Sequence, residues 1–253
     1  MRLVTALVMA ALLAGASEAA AQADESRFFL SVSGAFEPGT ETYSDDGTFP
    51  LYDETGRLSV SSEVSSGAVL DFGVGARVSG NFTVGANFHR TSSTDVAAVT
   101  GDAPHPVFFN RPRGFSASVE DLKRSEQALH LSVGYRLPIN DRFDVHFYAG
   151  PSQFRFSQEV ATVPDAPASP VTESANFATV TPNLVEQRRK KNAWGAHIGA
   201  DASYALFQNG DTSFRLGAYI RYAGASSDFQ VVSNTIETRL GGVQIGTGLR
   251  VRF

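Results

Sequence analysis

The chain of 253 residues contains no cysteine, which excludes disulfides and thiolate metal sites and leaves the redox compartment open. It is not basic. Its 21 Lys and Arg face 26 Asp and Glu, a formal net charge of −5, so nucleic acid is not an expected partner. After residue 23 no segment offers the roughly 18 consecutive apolar residues that a membrane-crossing helix needs. The spacing of its histidines defines no metal site, and no cofactor is expected.

What is present starts at the N-terminus. "MRLVTALVMAALLAGASEAAAQA" carries one basic residue, Arg2, then an apolar run from Leu3 to about Ala16. It closes on Ala21-Gln22-Ala23, an A-x-A cleavage pattern. The run is shorter than the ~20 residues of a spanning helix. Residues 1–23 therefore read as a secretory signal peptide cleaved after Ala23, with residues 24–253 exported.

The exported part alternates with a period of two in eight runs. They are 26–36, 67–78, 81–91, 127–137, 142–150, 193–207, 213–224 and 241–253. In the second, Leu70, Phe72, Val74 and Val78 oppose Asp71, Gly73, Gly75 and Arg77. The last sets Val243, Ile245, Thr247, Leu249, Val251 and Phe253 against Gln244, Gly246, Gly248, Arg250 and Arg252. Such alternation predicts strands, and its glycine content does not suit a helix. Short turns, "SGN" (79–81), "PIND" (138–141) and "QNGD" (208–211), join runs two to three, four to five and six to seven. The other connections are long, near 37–66, 92–124, 159–189 and 226–239. All short turns and both termini then fall at one end. An even strand count with short turns on one side and long loops on the other predicts an all-β fold, an eight-stranded antiparallel up-and-down transmembrane β-barrel of the bacterial outer membrane. A soluble barrel with the opposite face inward is the alternative.

The polar face supports the lipid-out arrangement. It carries small residues and charges that fill a narrow barrel as an interior polar network: Asp71, Arg77, His130, Arg136, Asp144, His146, His197, Asp201, Arg215, Arg221, Arg250 and Arg252. His130, His146 and His197 are expected to join hydrogen-bond networks with Asp71, Asp144 or Asp201. Trp194 and Tyr204 share a face ten residues apart, and at ~3.3 Å per residue and a tilt near 40° this spans roughly 25 Å, the height between aromatic girdles. Tyr222 is placed in the same girdle.

These features resemble the small outer-membrane barrels, namely the transmembrane domain of outer-membrane protein A and the opacity-protein-like "porin family". The resemblance runs from about residue 26 to 253 and rests on architecture more than on motifs. It implies a structural or surface-interaction role without catalysis. It also implies a C-terminal signal for the barrel-assembly machinery, matched by Gly248, Val251 and Phe253. The family's usual polar residue two positions before that glycine is Gly246 here. The periplasmic peptidoglycan-binding domain of the protein-A type is not present in this sequence.

Two patterns point towards chemistry. His130-Leu131-Ser132 resembles the His-x-Ser of the outer-membrane lipid A deacylases, but Val133 stands where that family has Asn. Asp144-Val145-His146 resembles the Asp-x-His of omptin proteases, but lies beside a short turn instead of at the outer rim. Both sets point into the barrel by the alternation, which favours interior polar residues. A narrow solute channel, and behind it a lipid-modifying enzyme, are the alternative functions. Arg188, Arg189, Lys190 and Lys191 stand where the third long loop enters a strand. There they could pair with lipopolysaccharide phosphates, or simply mark the strand's end in water. The first loop is acidic, with Glu37, Glu41, Asp45, Asp46, Asp53, Glu54 and Glu63, and "TGDAPHPVFFNRPRGF" (100–115) puts prolines and aromatics in the second. These loops are the surface open to host or other cell-surface ligands.

Overall fold

A strand sends successive side chains to opposite faces, so strict alternation fixes which residues share a wall. The computed structural model describes residues 26–38, 42–63, 67–164, 168–230 and 235–253. The expected signal peptide with Ala21 and Ala23, and the loop residue Glu41, lie outside them. The described strands are β1 (Phe28–Glu37), β2 (Thr42–Leu51), β3 (Glu54–Glu63), β4 (Gly67–Ser79), β5 (Phe82–Ala103), β6 (Arg113–Pro138), β7 (Phe143–Thr162), β8 (Val171–Glu173), β9 (Val180–Pro182), β10 (Val185–Asn209), β11 (Thr212–Gln230) and β12 (Thr235–Arg252).

Eight of these close a ring of antiparallel neighbours in the order β1-β4-β5-β6-β7-β10-β11-β12. The seam is β1 on β12, paired from Phe29↔Arg252 to Phe36↔Ile245. Each of the eight predicted runs supplies one strand of the ring. Two of the short turns are two-residue loops with a glycine at positive φ, Gly80 at 51° and Gly210 at 57°.

The four expected loops are shorter than the sequence indicated, because the strands continue beyond the predicted runs. β5 and β6 stay paired to Ala103↔Arg113, β7 and β10 to Thr162↔Val185, and β11 and β12 to Gln230↔Thr235. The first connection holds the β2–β3 hairpin, whose β3 adds to the upper part of β5 (Arg57↔Asp102 to Glu63↔Val96). The reason is an inversion of polarity along single strands. In the lower half of β5, Val84 and Phe88 are exposed on the outer wall while Thr83 and His89 are buried. Beyond Arg90 the outer positions turn mostly polar, with Ser92, Thr94 and Thr100 beside an exposed Val96 and Ala98, while Ala97, Val99 and Ala103 are buried. A β-bulge at Glu120 and Asp121, with Asp121 at φ 60°, shifts the parity of β6 so that Phe115 also turns inward. The extended upper part thus has its own apolar core. Phe49, Leu58, Val60, Val99, Phe115, Leu122, Val171 and Val180 meet there, the last two from the small β8–β9 sheet.

Candidate functional site

Below this head the interior is a stack of polar tiers. Nearest the short turns, Asp144 accepts hydrogen bonds from Arg215 Nη2 (2.6 Å), Arg252 Nη1 (2.5 Å) and Ser203 Oγ (3.0 Å). All four residues are buried. Next, Arg250 pairs with Asp201 and donates to Ser33 Oγ at 2.9 Å. Above it, Arg221 donates to Asp71 Oδ2 (2.7 Å) and Gln244 Oε1 (2.9 Å), and Gln244 donates to Glu37 Oε2 (2.6 Å). A cavity of about 50 Å³ lies among Asp71, Asp201, Tyr148, Tyr219, Arg221, Arg250 and Arg252, room for a few waters.

His89, His130 and His197 occupy the fourth tier, and they reach Asp71 through Arg221, whose Nη2 lies 3.4 Å from His89 Nδ1 and donates to Asp71 Oδ2. His89 Nδ1 and His130 Nε2 are hydrogen-bonded at 2.8 Å, and Ser152 Oγ lies 2.7 Å from His130 Nδ1 and 2.9 Å from His197 Nδ1. His146 bonds to Thr83 Oγ1 instead (2.8 Å). The permanently charged, forked guanidinium groups take the carboxylates, leaving the imidazoles to pair with one another and with hydroxyls. Arg136 is buried near the lowest tier, and Arg77 is half-buried. The His-x-Ser pair is not formed: the hydroxyl between two imidazoles is that of Ser152, not Ser132, and it is fully buried. Ser152 and His89 are not named by the sequence, and Gln244 is placed on the polar face without a role in the network; His89 lies within a predicted run and Ser152 two residues beyond one. Phe154 and Phe156, with Ala128, Ala193, Ala223 and Leu240, cap the tiers.

On the outer wall at this height the polarity changes abruptly. Arg90, Gln127, Arg155 and Asn192 stand in one row across β5, β6, β7 and β10, and Ser92, Ser125, Ser157 and Lys190 in the next. With Lys123 and Arg188 they border a shallow basin of about 390 Å³. Among the described residues its one ion pair is Arg188 with Glu159, which holds the Glu159 carboxyl below the usual carboxylate range. The expected four-residue cation cluster is divided by the alternation. Arg188 and Lys190 face outward, whereas Arg189 turns to the other side and donates to Gln187 Oε1 at 2.7 Å, and Lys191 shares that inner parity. Arg90, Lys123 and Arg155, distant in sequence, complete the outward patch.

At the far tip three turns meet. Arg113 and Glu173 form a two-pronged pair, Tyr52 Oη donates to Glu173 Oε1 (3.1 Å), and Asn110 N donates to Glu54 Oε2 (3.0 Å).

The family model for the outer membrane protein beta-barrel domain matches residues 7–253. The chain belongs to this family. It is therefore a protein of the bacterial outer membrane, and its exposed apolar wall faces lipid. No curated protein matches it. Among solved structures it is similar to Neisserial surface protein A (10% identity, 89% of this chain and 95% of that one, TM-score 0.42). It is also similar to the outer membrane protein OprG of Pseudomonas aeruginosa (10%, 90% and 96%, 0.44) and to Ail, the attachment invasion locus protein of Yersinia pestis (13%, 88% and 97%, 0.37).

The short turns lie at one end of the barrel and the head at the other. Trp194, Tyr204 and Tyr222 all stand exposed on the lipid wall. Trp194 lies one outward position below Asn192 of the cationic row, and Tyr204 bonds to Arg142 beside the short β6–β7 turn. At the seam, Phe253 N donates to Phe28 O (3.0 Å) and Phe28 N to Phe253 O (2.8 Å). Val251 is half-buried beside it, and Gly248 packs against the Val32 and Ser33 backbone.

Proposed function

We propose that this barrel is a non-catalytic platform that presents its ordered extracellular head for surface interaction. The observation that carries this reading is the contrast between the two halves. The barrel bore is filled by arginine–carboxylate tiers and capped by Phe154 and Phe156, while the outer connections fold around a core of their own. A buried serine between two imidazoles has the residue types of a nucleophile but no exposed surface, which supports a structural role for it. The test is paired. Purified barrel reconstituted in planar bilayers is expected to give no steady conductance, and deleting the β2–β3 hairpin and the β5–β6 tip is expected to abolish adherence to host or other cells. Steady conductance by the intact chain overturns this reading in favour of a solute channel.

The outward cations fit the phosphates of lipopolysaccharide, since they sit immediately above the apolar band and span four adjacent strands. Neutralising Arg90, Lys123, Arg155 and Lys190 together should lower the lipopolysaccharide that co-purifies with the barrel, whereas neutralising Arg189 and Lys191 should not. Unchanged co-purification in the first variant removes this partner. Gly248, Val251 and Phe253 are proposed to engage the barrel-assembly machinery, and Phe253→Ala should slow insertion without altering the folded barrel's mobility shift on heating.

A further inference from the structure

The β5–β6 turn carries "PVFFN" at its tip, and this is where the head is most apolar and least covered. Phe109 is 84% exposed, more than the most exposed large apolar side chains of the lipid wall, Phe207 at 73% and Trp194 at 70%. Val107 and Phe108 are also more than half exposed, and Tyr52 and Phe177 are exposed on the neighbouring turns. In water a patch of this kind is unfavourable unless something covers it.

The tip is built rigidly. Pro104, Pro106 and Pro112 restrict its backbone. His105 Nδ1 accepts from Val107 N (3.1 Å) and Phe108 N (3.2 Å), and Arg113 ties the base by donating to Pro104 O (2.6 Å) and Phe177 O (2.9 Å). Tyr52, Asp53, Asn110 and Phe177 all adopt positive φ, between 52° and 58°. Left-handed backbone at Tyr and Phe is uncommon and persists where surrounding contacts impose it. The ordering cost of presenting these aromatics is therefore met before any partner arrives.

Shape and charge select the kind of partner. Three consecutive apolar side chains project from a turn and offer no concave surface, so a protein partner would need a matching pocket, whereas a fluid apolar phase needs none. Arg111 lies over the Phe108 ring, 5.5 Å from its centroid, which places a cation and an amphipathic tyrosine around an apolar point. That is the side-chain order of a membrane interface, with rings towards hydrocarbon and polar ends at the headgroups. Nearby charges nearly balance, with Arg111 and Arg113 against Asp53, Glu54 and Glu173, so attraction to anionic lipid is not the driving term. The span from Arg90 to Ala103, at ~3.3 Å per residue and a tilt near 40°, carries the tip roughly 30 Å beyond the barrel's own rim. The apolar phase it can reach is thus not its own membrane.

We infer that the β5–β6 tip inserts Val107, Phe108 and Phe109 into the interfacial layer of a second, facing lipid bilayer. This rests on the surface-interaction reading above and names its partner. The experiment uses the full chain in nanodiscs, exposed to protein-free dioleoylphosphatidylcholine vesicles. Capture should exceed that by empty nanodiscs and stay within about twofold between 0.1 and 1 M salt, because apolar insertion is not screened. The double variant Phe108→Ser/Phe109→Ser should lose capture at least tenfold while keeping the barrel's heat-dependent gel shift. Separately, the indole introduced by Phe109→Trp should be quenched by brominated lipid placed only in the added vesicles. Capture no better than empty nanodiscs, salt-sensitive capture, or an indole left unquenched in the Phe109→Trp variant overturns the inference. If vesicles are refused but cells are bound through protease-sensitive components, the lipid partner falls and the surface-interaction role stands. If the chain conducts ions and refuses vesicles, both fall.

Discussion

Arg113 and Glu173, 60 residues apart in the chain, join the β5–β6 tip to the β8–β9 sheet, with Arg113 Nη2 donating to Glu173 Oε1 at 2.8 Å. The guanidinium holds the Glu173 carboxyl below its ordinary value of 4.5. A depressed folded pKa gives stabilisation that is complete above the unfolded value and is lost as pH falls through the folded one. Protection factors of the β8–β9 amides, exchange rates divided into the intrinsic rate at each pH, should therefore be high at neutral pH and fall on acidification below about 4.5. In Arg113→Ala the protection should already be low at pH 7, with the acid step diminished. A step of unchanged size in that variant would assign the docking to other groups.

Asp144 is the shared acceptor of Arg215 and Arg252 in the buried tier nearest the short turns. Asp144→Ala leaves two guanidinium groups buried without a carboxylate, a change that costs about 3–5 kcal/mol. Urea unfolding of the reconstituted barrel should show this, and a loss under about 1 kcal/mol would mean that water enters the tier readily.

Gly150 lies where the β6–β7 ladder skips from His130↔Ser152 to Val133↔Ala149, beside Pro151, which has no amide hydrogen. A Cβ on Gly150 would come within 1.9 Å of the Leu131 carbonyl oxygen, a backbone atom of the facing strand. Gly150→Ala should cost about 1–3 kcal/mol by forcing the strands apart. The heated gel shift should begin at a lower temperature, and an unchanged onset would show that the wall yields there.

Ser152→Ala removes the hydroxyl that joins His130 to His197. Two buried imidazole nitrogens lose their partner, at about 1–3 kcal/mol. The same variant should leave adherence through the head unaltered, and loss of adherence without loss of stability would give Ser152 a direct role.

The barrel was legible because its determinant is local. Lipid demands apolar side chains at every second position, and each of the eight runs states this in its own residues, as Leu70, Phe72 and Val74 do for β4. The inward positions were legible for the same reason, down to Arg221 and His130. Pairing inside the bore was not, since the choice of Asp71 by Arg221 brings together residues 150 apart and depends on ring closure. The head escaped for another reason. Ala97 and Val99 belong to a strand whose greasy side has changed walls, so a pattern followed outward from Phe88 ends at Arg90. The rim cations were half-seen: Lys190 and Arg188 were visible as a run, but Arg90 and Arg155 join them only through strand register.

The change of wall along β5 has a consequence for the chain before it reaches the membrane. In a single solvent the sequence is frustrated. A pairing that buries Phe88 and Val84 in water leaves Val99 and Ala97 outside, and one that buries the latter leaves the former wet. No compact state in an aqueous compartment satisfies both halves of the strand at once. The native ladder becomes the lowest state only across a phase boundary.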